Sequence, residues 1–283
     1  LVDTSGRVVG TESRAETLAD YLESVQWRVR PATLQPDPPP PIHPKLDVDE
    51  NLFTHQELRR AIVKLSSGKA VREGDVRIEC FKVLAQAAGA VLQSFLDLCN
   101  TCWAHGSVPQ EWLVARVAMI FKKGDPSSPG NYRPICLTLV AYRIYASMIK
   151  QRLLDAGLDE RLWGSQFGFR QHRSTEHAIY LARRHIELAC ARRGGQVSLL
   201  ALDWAKAFDS VNVGRLLQCL QRFGIQGRAI NAIRGLMRDR SFLDAGSRSD
   251  PRFQRSGISQ GCILSPLLFV TVMSAVMHEA VGM

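Results

Sequence analysis

A cluster of prolines divides this chain into two unequal parts and limits what either part can form. Of the thirteen prolines, seven lie between residues 31 and 44. Proline lacks the backbone N–H that helices and sheets use, so this stretch favours an extended, semi-rigid linker. We therefore expect a helical segment over residues 1–30, a linker over 31–50 and one larger domain over 51–283.

Apolar spacing and capping residues predict the elements on both sides of the linker. Four apolar residues share one face of a helix predicted over residues 12–29. Thr54 and Glu57 form a capping box that opens a second helix, which Gly68 ends. Further helices are predicted over residues 76–104, 134–154, 175–190, 212–223, 226–240 and after residue 262, and strands over 112–121 and 197–202. Helices alternating with few strands indicate an α/β or α+β domain.

The charge balance of the chain favours a polyanionic partner. The 283 residues include 36 Lys and Arg against 27 Asp and Glu, which gives a net charge of +9 and a pI near 9.4. Nucleic acid is one such partner, although many basic proteins bind none. The charge alone therefore leaves both possibilities open.

Cysteine usage and hydropathy indicate a protein that stays inside a cell. The seven cysteines, an odd number, do not resemble a disulfide framework. Cys99 and Cys102 form a CxxC without a second pair or a histidine cluster, so we expect core thiols and not a zinc site. Since no run reaches about 18 apolar residues and no signal peptide is present, neither a membrane span nor secretion is predicted. The first residue, Leu1, suggests a piece of a longer reading frame.

The stretch ALDWAKAFDSVN, residues 201–212, places acidic residues directly after an apolar run. Residues 197–202 predict a short buried strand, and Asp203 follows it at once. A carboxylate held at a strand end and open to solvent suits a divalent metal in phosphodiester synthesis. The plainer interpretation is a loop aspartate with a local hydrogen bond. Phe208 equally suits a core position, and Asp209 equally suits the N-cap of the next helix.

Two further segments suit a nucleotide only in combination with other motifs. Lys122, Lys123 and Arg133 flank a flexible turn and suit either a triphosphate or a solvated hairpin tip. The segment SGISQGC, residues 256–262, supplies small residues that allow close backbone approach, together with the amide of Gln260. By itself it is typical of a turn that enters a helix. No Walker or Rossmann glycine loop is present.

Taken together and in this order, four blocks closely resemble the reverse transcriptases of non-LTR (LINE-type) retrotransposons. The blocks are FKKGD…NYRPICL, SQFGFRQHRST, LALDWAKAFDSVN and GISQGCILSPLLF. Upstream, FTHQELRRAIVKLSSGKA and GSVPQEW resemble the segment that introduces this domain in the family. The resemblance covers roughly residues 50–283. It implies an α+β fold, with the fingers and an incomplete palm of a right-hand polymerase.

The resemblance also implies roles for individual residues. Asp203 matches a catalytic, metal-binding aspartate, and the Trp204 carbonyl is a second metal contact. The implied nucleotide-binding residues are Arg133, one or both of Lys122 and Lys123, the 2′-selective Phe208, and Gln260 with Gly261. The implied template-binding residues are Phe169 and Arg170, while Asp209 is interpreted as structural.

The same resemblance implies the partners and the arrangement of the site. An RNA template, a DNA primer and deoxynucleoside triphosphates are expected, with Mg²⁺ in the complete enzyme, a nuclear location and no membrane. No protein partner is inferred. Asp203 is expected at the end of a strand in a small antiparallel sheet. Lys122, Lys123 and Arg133 are expected on a separate hairpin that faces the same cleft.

Two departures from the family pattern bear on activity. The segment GKAVREGDVRIE lacks the usual Pro-Gly and aspartate placement, which affects the local loop. The family's paired-aspartate block lies a few dozen residues beyond Gly261, and the 22 residues that follow here (283 − 261) do not contain it. Because a two-metal site with one of three carboxylates is nearly inert, we expect no primer extension by these 283 residues. The alternative is a non-catalytic retroelement remnant that at most binds nucleic acid.

Overall fold

A small mixed sheet organises the computed structural model, which describes residues 1–29, 39–72, 74–87, 89–244 and 251–281. The strands are β1 (Val114–Phe121), β2 (Tyr132–Leu137), β3 (Ser241–Asp244) and β4 (Arg252–Phe253), in the order β2-β1-β3-β4. β1 pairs antiparallel with β2 and parallel with β3, and β3 pairs antiparallel with β4. The fold is therefore α+β as predicted, but its sheet is mixed and not antiparallel.

The described residues also form ten α-helices. They are α1 (Arg14–Tyr21, continued by a π-helical turn, Leu22–Gln26), α2 (His55–Lys64), α3 (Ile78–Ala87), α4 (Ala90–His105), α5 (Val140–Asp155), α6 (Leu158–Arg161), α7 (Thr175–Cys190), α8 (Val213–Arg222), α9 (Gly227–Met237) and α10 (Ser265–Val281). The predicted capping box opens α2. Thr54 Oγ1 accepts the Glu57 N–H at 3.2 Å, and the Glu57 carboxylate accepts the Thr54 N–H at 2.8 Å. No described helix is long and apolar enough to cross a membrane.

The helix predicted from residue 134 begins later, at Val140, because the residues before it form β2. β2 lies at the sheet edge, where Pro134 is tolerated because an outer strand needs fewer backbone donors. The N–H of Cys136 donates to the Gln260 carbonyl at 2.7 Å. The turn that contains Gln260 therefore lies along the edge of β2.

The apolar run over residues 197–202 is not a strand, so the prediction that Asp203 ends a buried strand is wrong. Leu199, Leu200 and Leu202 are each more than 70% exposed. A strand needs a neighbour that accepts and donates its backbone hydrogen bonds. In the described part of the chain the four strands pair only with one another, so local β-propensity has no partner here.

The residues before the proline cluster pack against the sheet. Leu22 and Trp27 form one buried cluster with Val117 of β1 and Phe242 of β3. Residues 30–38 of the predicted linker lie outside the described residues. Residues 39–50 contact the helices, and the backbone N–H of Leu46 donates to the Gly224 carbonyl at 2.8 Å.

A larger core lies among α2, α4, α5, α8, α9 and α10. Cys99 and Cys102 of α4 are buried in it as free thiols, as predicted. Burial raises the pKa of Cys102 to about 11, so the thiol stays protonated and behaves as an apolar core residue.

The side chain of Arg152, in α5, binds the segment that leads into α2. Its side chain is 4% exposed, and its guanidinium donates to the Glu57 carboxylate at 2.6 and 3.0 Å. The remaining N–H groups donate to the backbone carbonyls of Asp49, Asn51 and Leu52. All five N–H groups of the guanidinium therefore have acceptors.

Replacing this arginine tests the importance of the junction. Arg152→Met removes the charge but retains apolar bulk, so Glu57 and three carbonyls lose their donors. We expect a loss of about 3–5 kcal/mol in the free energy of unfolding, measured by urea denaturation. The control is Arg60→Met, which breaks a 3.7 Å pair with Asp155 between half-exposed side chains and costs about 0–1 kcal/mol. Equal losses in the two variants would contradict this interpretation.

Candidate functional site

A buried carboxylate, that of Asp209, lies where three distant segments meet. Asp209 is 4% exposed. Its Oδ1 accepts the indole N–H of Trp27 at 2.8 Å, and its Oδ2 accepts the amide N–H of Gln260 at 2.8 Å. Gly257 has a φ of +78°, and a Cβ there would lie 2.8 Å from the Asp209 Cα. Glycine at this position therefore lets the turn over residues 256–262 approach Asp209 closely.

Burial raises the pKa of Asp209 above its ordinary value. Hydrogen bonds from Trp27 and Gln26 act in the opposite direction, as do the positive charges of Lys122 and Lys206. The carboxylate is therefore surrounded by donors and cations from the N-terminal segment, the hairpin and its own turn. This environment agrees with the prediction that Asp209 is structural.

The loop between β1 and β2 carries the predicted cations. Lys122 and Lys123 are exposed, and the Lys122 N–H donates to the Asn131 carbonyl at 2.9 Å. Gly124, in the same loop, has a φ of +94°. Arg133 is exposed on β2 between two buried residues, so it lies on the sheet face opposite the N-terminal cluster. The hairpin that the family resemblance implies is present, but its two strands belong to the four-stranded sheet and are not separate from it.

Asp203 and Trp204 lie on an irregular, exposed segment. Asp203 makes no hydrogen bond or ion pair to any residue that the structure describes. Trp204 is 55% exposed and lines a cavity of about 240 Å³ beside α10. The two acidic residues of this stretch therefore have opposite environments, since Asp203 is open and Asp209 is enclosed.

Phe208 belongs to an aromatic group. Its ring stacks on that of Phe269 with centroids 4.6 Å apart, and the ring of Phe169 meets it edge-on at 5.9 Å. Phe169 is exposed and has a φ of +60°, an uncommon backbone conformation for a side chain of this size. The structure therefore brings together one residue predicted to contact the template and one predicted to contact the nucleotide.

The side chain of Arg170 is only 7% exposed, which distinguishes it from that of Phe169. Its guanidinium donates to the Asp159 carboxylate at 2.9 Å and to the Asp159 carbonyl at 2.8 Å. Its other N–H groups donate to the Asp159 carboxylate and to the carbonyls of Trp163 and Gln166. All five N–H groups have acceptors, so this geometry favours a structural role that the sequence did not indicate. A template contact by Arg170 stays a prediction.

The predicted turn residues Gln260 and Gly261 meet β2. Gly261 has a φ of +117°, and a Cβ there would lie 2.5 Å from the Cys136 carbonyl oxygen. Among the predicted residues, Lys122 and Gln260 converge on Asp209, whereas no contact in the described chain joins Arg133 to Asp203. No group of three or more His, Cys, Asp or Glu side chains among the described residues is placed to hold a metal ion.

Residues that the sequence analysis missed also line this region. Trp27 and Gln26 reach Asp209, and the Nζ of Lys206 donates to the Tyr21 hydroxyl at 2.7 Å. The only local signal was that Trp27 follows the apolar stripe of the N-terminal helix. Nothing local pointed to a partner 182 residues away.

Comparisons with known proteins agree with these motifs. The sequence model of the family "Reverse transcriptase (RNA-dependent DNA polymerase)" matches residues 120–281. A probable RNA-directed DNA polymerase from transposon BS of Drosophila melanogaster is 32% identical over 57% of this chain and 18% of its own length. The Pol polyprotein from the type-1 retrotransposable element R2 of Popillia japonica is 31% identical, over 60% of this chain and 24% of its own. The RNA-directed DNA polymerase from mobile element jockey of Drosophila funebris is 24% identical over 76% of this chain and 24% of its own length. The chain thus spans about a fifth of the length of these relatives.

Conservative substitutions distinguish the two aspartates. In Asp209→Asn one buried oxygen becomes an NH₂ group, so either Trp27 or Gln260 loses its acceptor. We expect a loss of about 1–3 kcal/mol in the free energy of unfolding by urea denaturation. Asp203→Asn, at an exposed position, is the matched control and should stay within about 0.5 kcal/mol of the wild type. Wild-type stability in Asp209→Asn would contradict the structural role.

Proposed function

Since the chain belongs to the reverse transcriptase (RNA-dependent DNA polymerase) family, we propose that it forms the fingers and the first part of the palm of a non-LTR retrotransposon polymerase. The match to the family covers more than half of the chain. We propose residues 51–283 as this domain, residues 1–30 as a helical segment packed on it and 31–50 as the connection. The whole protein would copy RNA into DNA in the nucleus.

One observation chiefly supports this proposal. Three motifs that are far apart in the sequence act on Asp209: the segment after Asp203 carries it, the Gln260 amide of the turn donates to it, and the positive charge of Lys122 on the hairpin lowers its pKa. A polymerase needs this convergence, because cations, a metal ligand and base-pair contacts must share one nucleoside triphosphate. An unrelated basic domain has no reason to bring these three segments together.

Each segment would contact a different part of the nucleotide. Arg133 and one or both of Lys122 and Lys123 would bind the triphosphate. Gln260 and Gly261 would lie beside the nascent base pair. Phe208 would crowd the sugar 2′ position, and its stacking on Phe269 would keep the ring from moving aside. Phe169, exposed beside Phe208, would contact the template by stacking.

The exposed carboxylate of Asp203 fits one ligand position of a magnesium ion. Its oxygens are free of protein donors in the described structure, and Mg²⁺ is usually held by one or two carboxylates together with substrate phosphates. Asp203, with the Trp204 carbonyl, would hold such an ion, which would neutralise charge on the triphosphate. We propose that these 283 residues bind substrates without extending a primer.

A second candidate function is nucleic-acid binding without nucleotide chemistry. The net charge of +9 supports it, as does the single carboxylate at the proposed metal position. The two functions differ in one respect. Only the polymerase domain should bind a deoxynucleoside triphosphate in a way that depends on Mg²⁺ and on Asp203.

Added salt should weaken the binding of nucleic acid to this chain. The chain should bind an RNA template annealed to a DNA primer, and its affinity should fall steeply between 50 and 200 mM salt through counterion release, measured by fluorescence anisotropy. With a deoxynucleoside triphosphate and Mg²⁺ added, Arg133→Gln should weaken the binding of the nucleotide and leave the binding of primer–template alone unchanged, because its proposed contact is the triphosphate. Arg238→Gln, which neutralises an exposed arginine outside the hairpin, is the control. Salt-independent binding would contradict the proposal.

Binding of a deoxynucleoside triphosphate should depend on the carboxylate of Asp203. With primer–template and Mg²⁺ present, a deoxynucleoside triphosphate should raise the affinity of the chain for nucleic acid. Asp203→Asn should abolish this increase while binding without nucleotide stays unchanged, because the amide lacks the charge that holds the metal. Asp239→Asn, a neutralised aspartate on an exposed surface, is the matched control. A full nucleotide effect in Asp203→Asn would remove Asp203 from the metal site, and no nucleotide effect in the wild type would favour the non-catalytic alternative.

A further inference from the structure

The indole of Trp27 lies in a segment that the family match, residues 120–281, does not include. Trp27 is 1% exposed, and its ring meets that of Phe242 edge-on at 4.8 Å, which fixes the plane of the indole. Its N–H points at Asp209 Oδ1. A tryptophan from outside the matched region therefore contributes a buried hydrogen bond to the centre of the site.

The hydrogen bonds continue from Asp209 to the nucleotide-contacting turn. An ionised carboxylate only accepts, and here one oxygen accepts from Trp27 while the other accepts from Gln260. The backbone of Gln260 is held separately by the Cys136 N–H. The direction of the Gln260 amide therefore depends on Asp209, and the direction of the carboxylate depends on Trp27 together with its neighbour Gln26.

Ion pairs join the helix that precedes Trp27 to the sheet. Arg252 of β4 pairs with Asp20 at 2.6 Å, with Glu23 at 3.3 Å and with Glu16. Tyr21 of the same helix accepts a hydrogen bond from Lys206, in the turn that leads to Asp209. The helix is thus a fixed support against which the turn at residues 205–210 is held.

We infer that Trp27 is a positioning residue for the nucleotide site: through Asp209 it holds the Gln260 amide in the direction required for the nascent base pair. This inference rests on the proposed function. Trp27 does not touch the substrate. Its loss should therefore weaken nucleotide binding without changing the binding of primer–template alone.

The substitution Trp27→Phe removes the N–H and retains an aromatic ring against Phe242. The matched control is Trp103→Phe. Trp103 is also fully buried, and its indole N–H donates to the Glu50 carbonyl at 3.3 Å, unconnected to Asp209 by any contact in the described chain. Should Trp27→Phe fail to fold, 3-benzothienylalanine at position 27 keeps the shape of the indole and replaces the N–H with sulfur.

Two measurements on the 283-residue chain test the inference, and the Kd for primer–template alone is the third, as a reference. The first is the ¹⁵N–¹H signal of the Gln260 side-chain amide, assigned with Gln260→Ala. The second is the Kd of a deoxynucleoside triphosphate for the complex with primer–template and Mg²⁺. Trp27→Phe should shift the amide signal and raise the nucleotide Kd about tenfold, with the primer–template Kd unchanged. Trp103→Phe should leave all three at wild-type values.

The double variant of Trp27 and Gln260 distinguishes a positioning role of Trp27 from a general loss of packing. Because Trp27 acts through Gln260, Trp27→Phe should add nothing to the nucleotide Kd of Gln260→Ala. A wild-type nucleotide Kd in Trp27→Phe, or effects that simply add in the double variant, would overturn the inference and leave the proposed function intact. A wild-type chain that binds primer–template but no nucleotide would overturn the proposed function, and the inference with it.

Discussion

The buried carboxylate of Asp209 is the constraint on which the site depends. A carboxylate removed from water is costly unless donors and positive charge surround it. The N-terminal helix supplies the Trp27 N–H, the glycine-rich turn supplies the Gln260 amide, and Lys122 and Lys206 supply charge. Satisfying one buried group therefore sets the relative positions of segments that lie 182 residues before Asp209 and 51 residues after it.

The edge of the sheet imposes a second constraint. β2 has one open side, and the turn over residues 256–262 lies along it through the hydrogen bond from Cys136 to the Gln260 carbonyl. Glycine is required at positions 257 and 261, where a Cβ would collide with the backbone of Asp209 or Cys136. The turn thus lies against both the edge of β2 and Asp209, so neither can shift without moving Gln260.

Buried arginines change how the basic composition should be interpreted. In Arg152 and Arg170 every guanidinium N–H donates to an acceptor within the described protein. Arg240 donates to the Gly257 carbonyl at 2.7 Å and to the Ser259 hydroxyl at 3.1 Å. Each fastens a loop to a neighbouring element. The total of 36 Lys and Arg therefore overstates the number of cations that are free for a nucleic acid. The exposed hairpin cations Lys122, Lys123 and Arg133 matter more than their share of the total.

The sequence by itself determined whatever has a local cause. The capping box at Thr54, the helical apolar stripes, the hairpin that carries the cations and the ordered motifs of the family all follow from residues close together in the chain. Tertiary structure alone decided the rest. Residues 197–202 have strand propensity but no neighbouring strand, whereas β3 forms beside β1 and β4 forms beside β3. The partner of Trp27 lies 182 residues away and reaches it only by folding. A hydrogen bond between distant residues leaves no periodic pattern in the chain, so only the folded protein shows it.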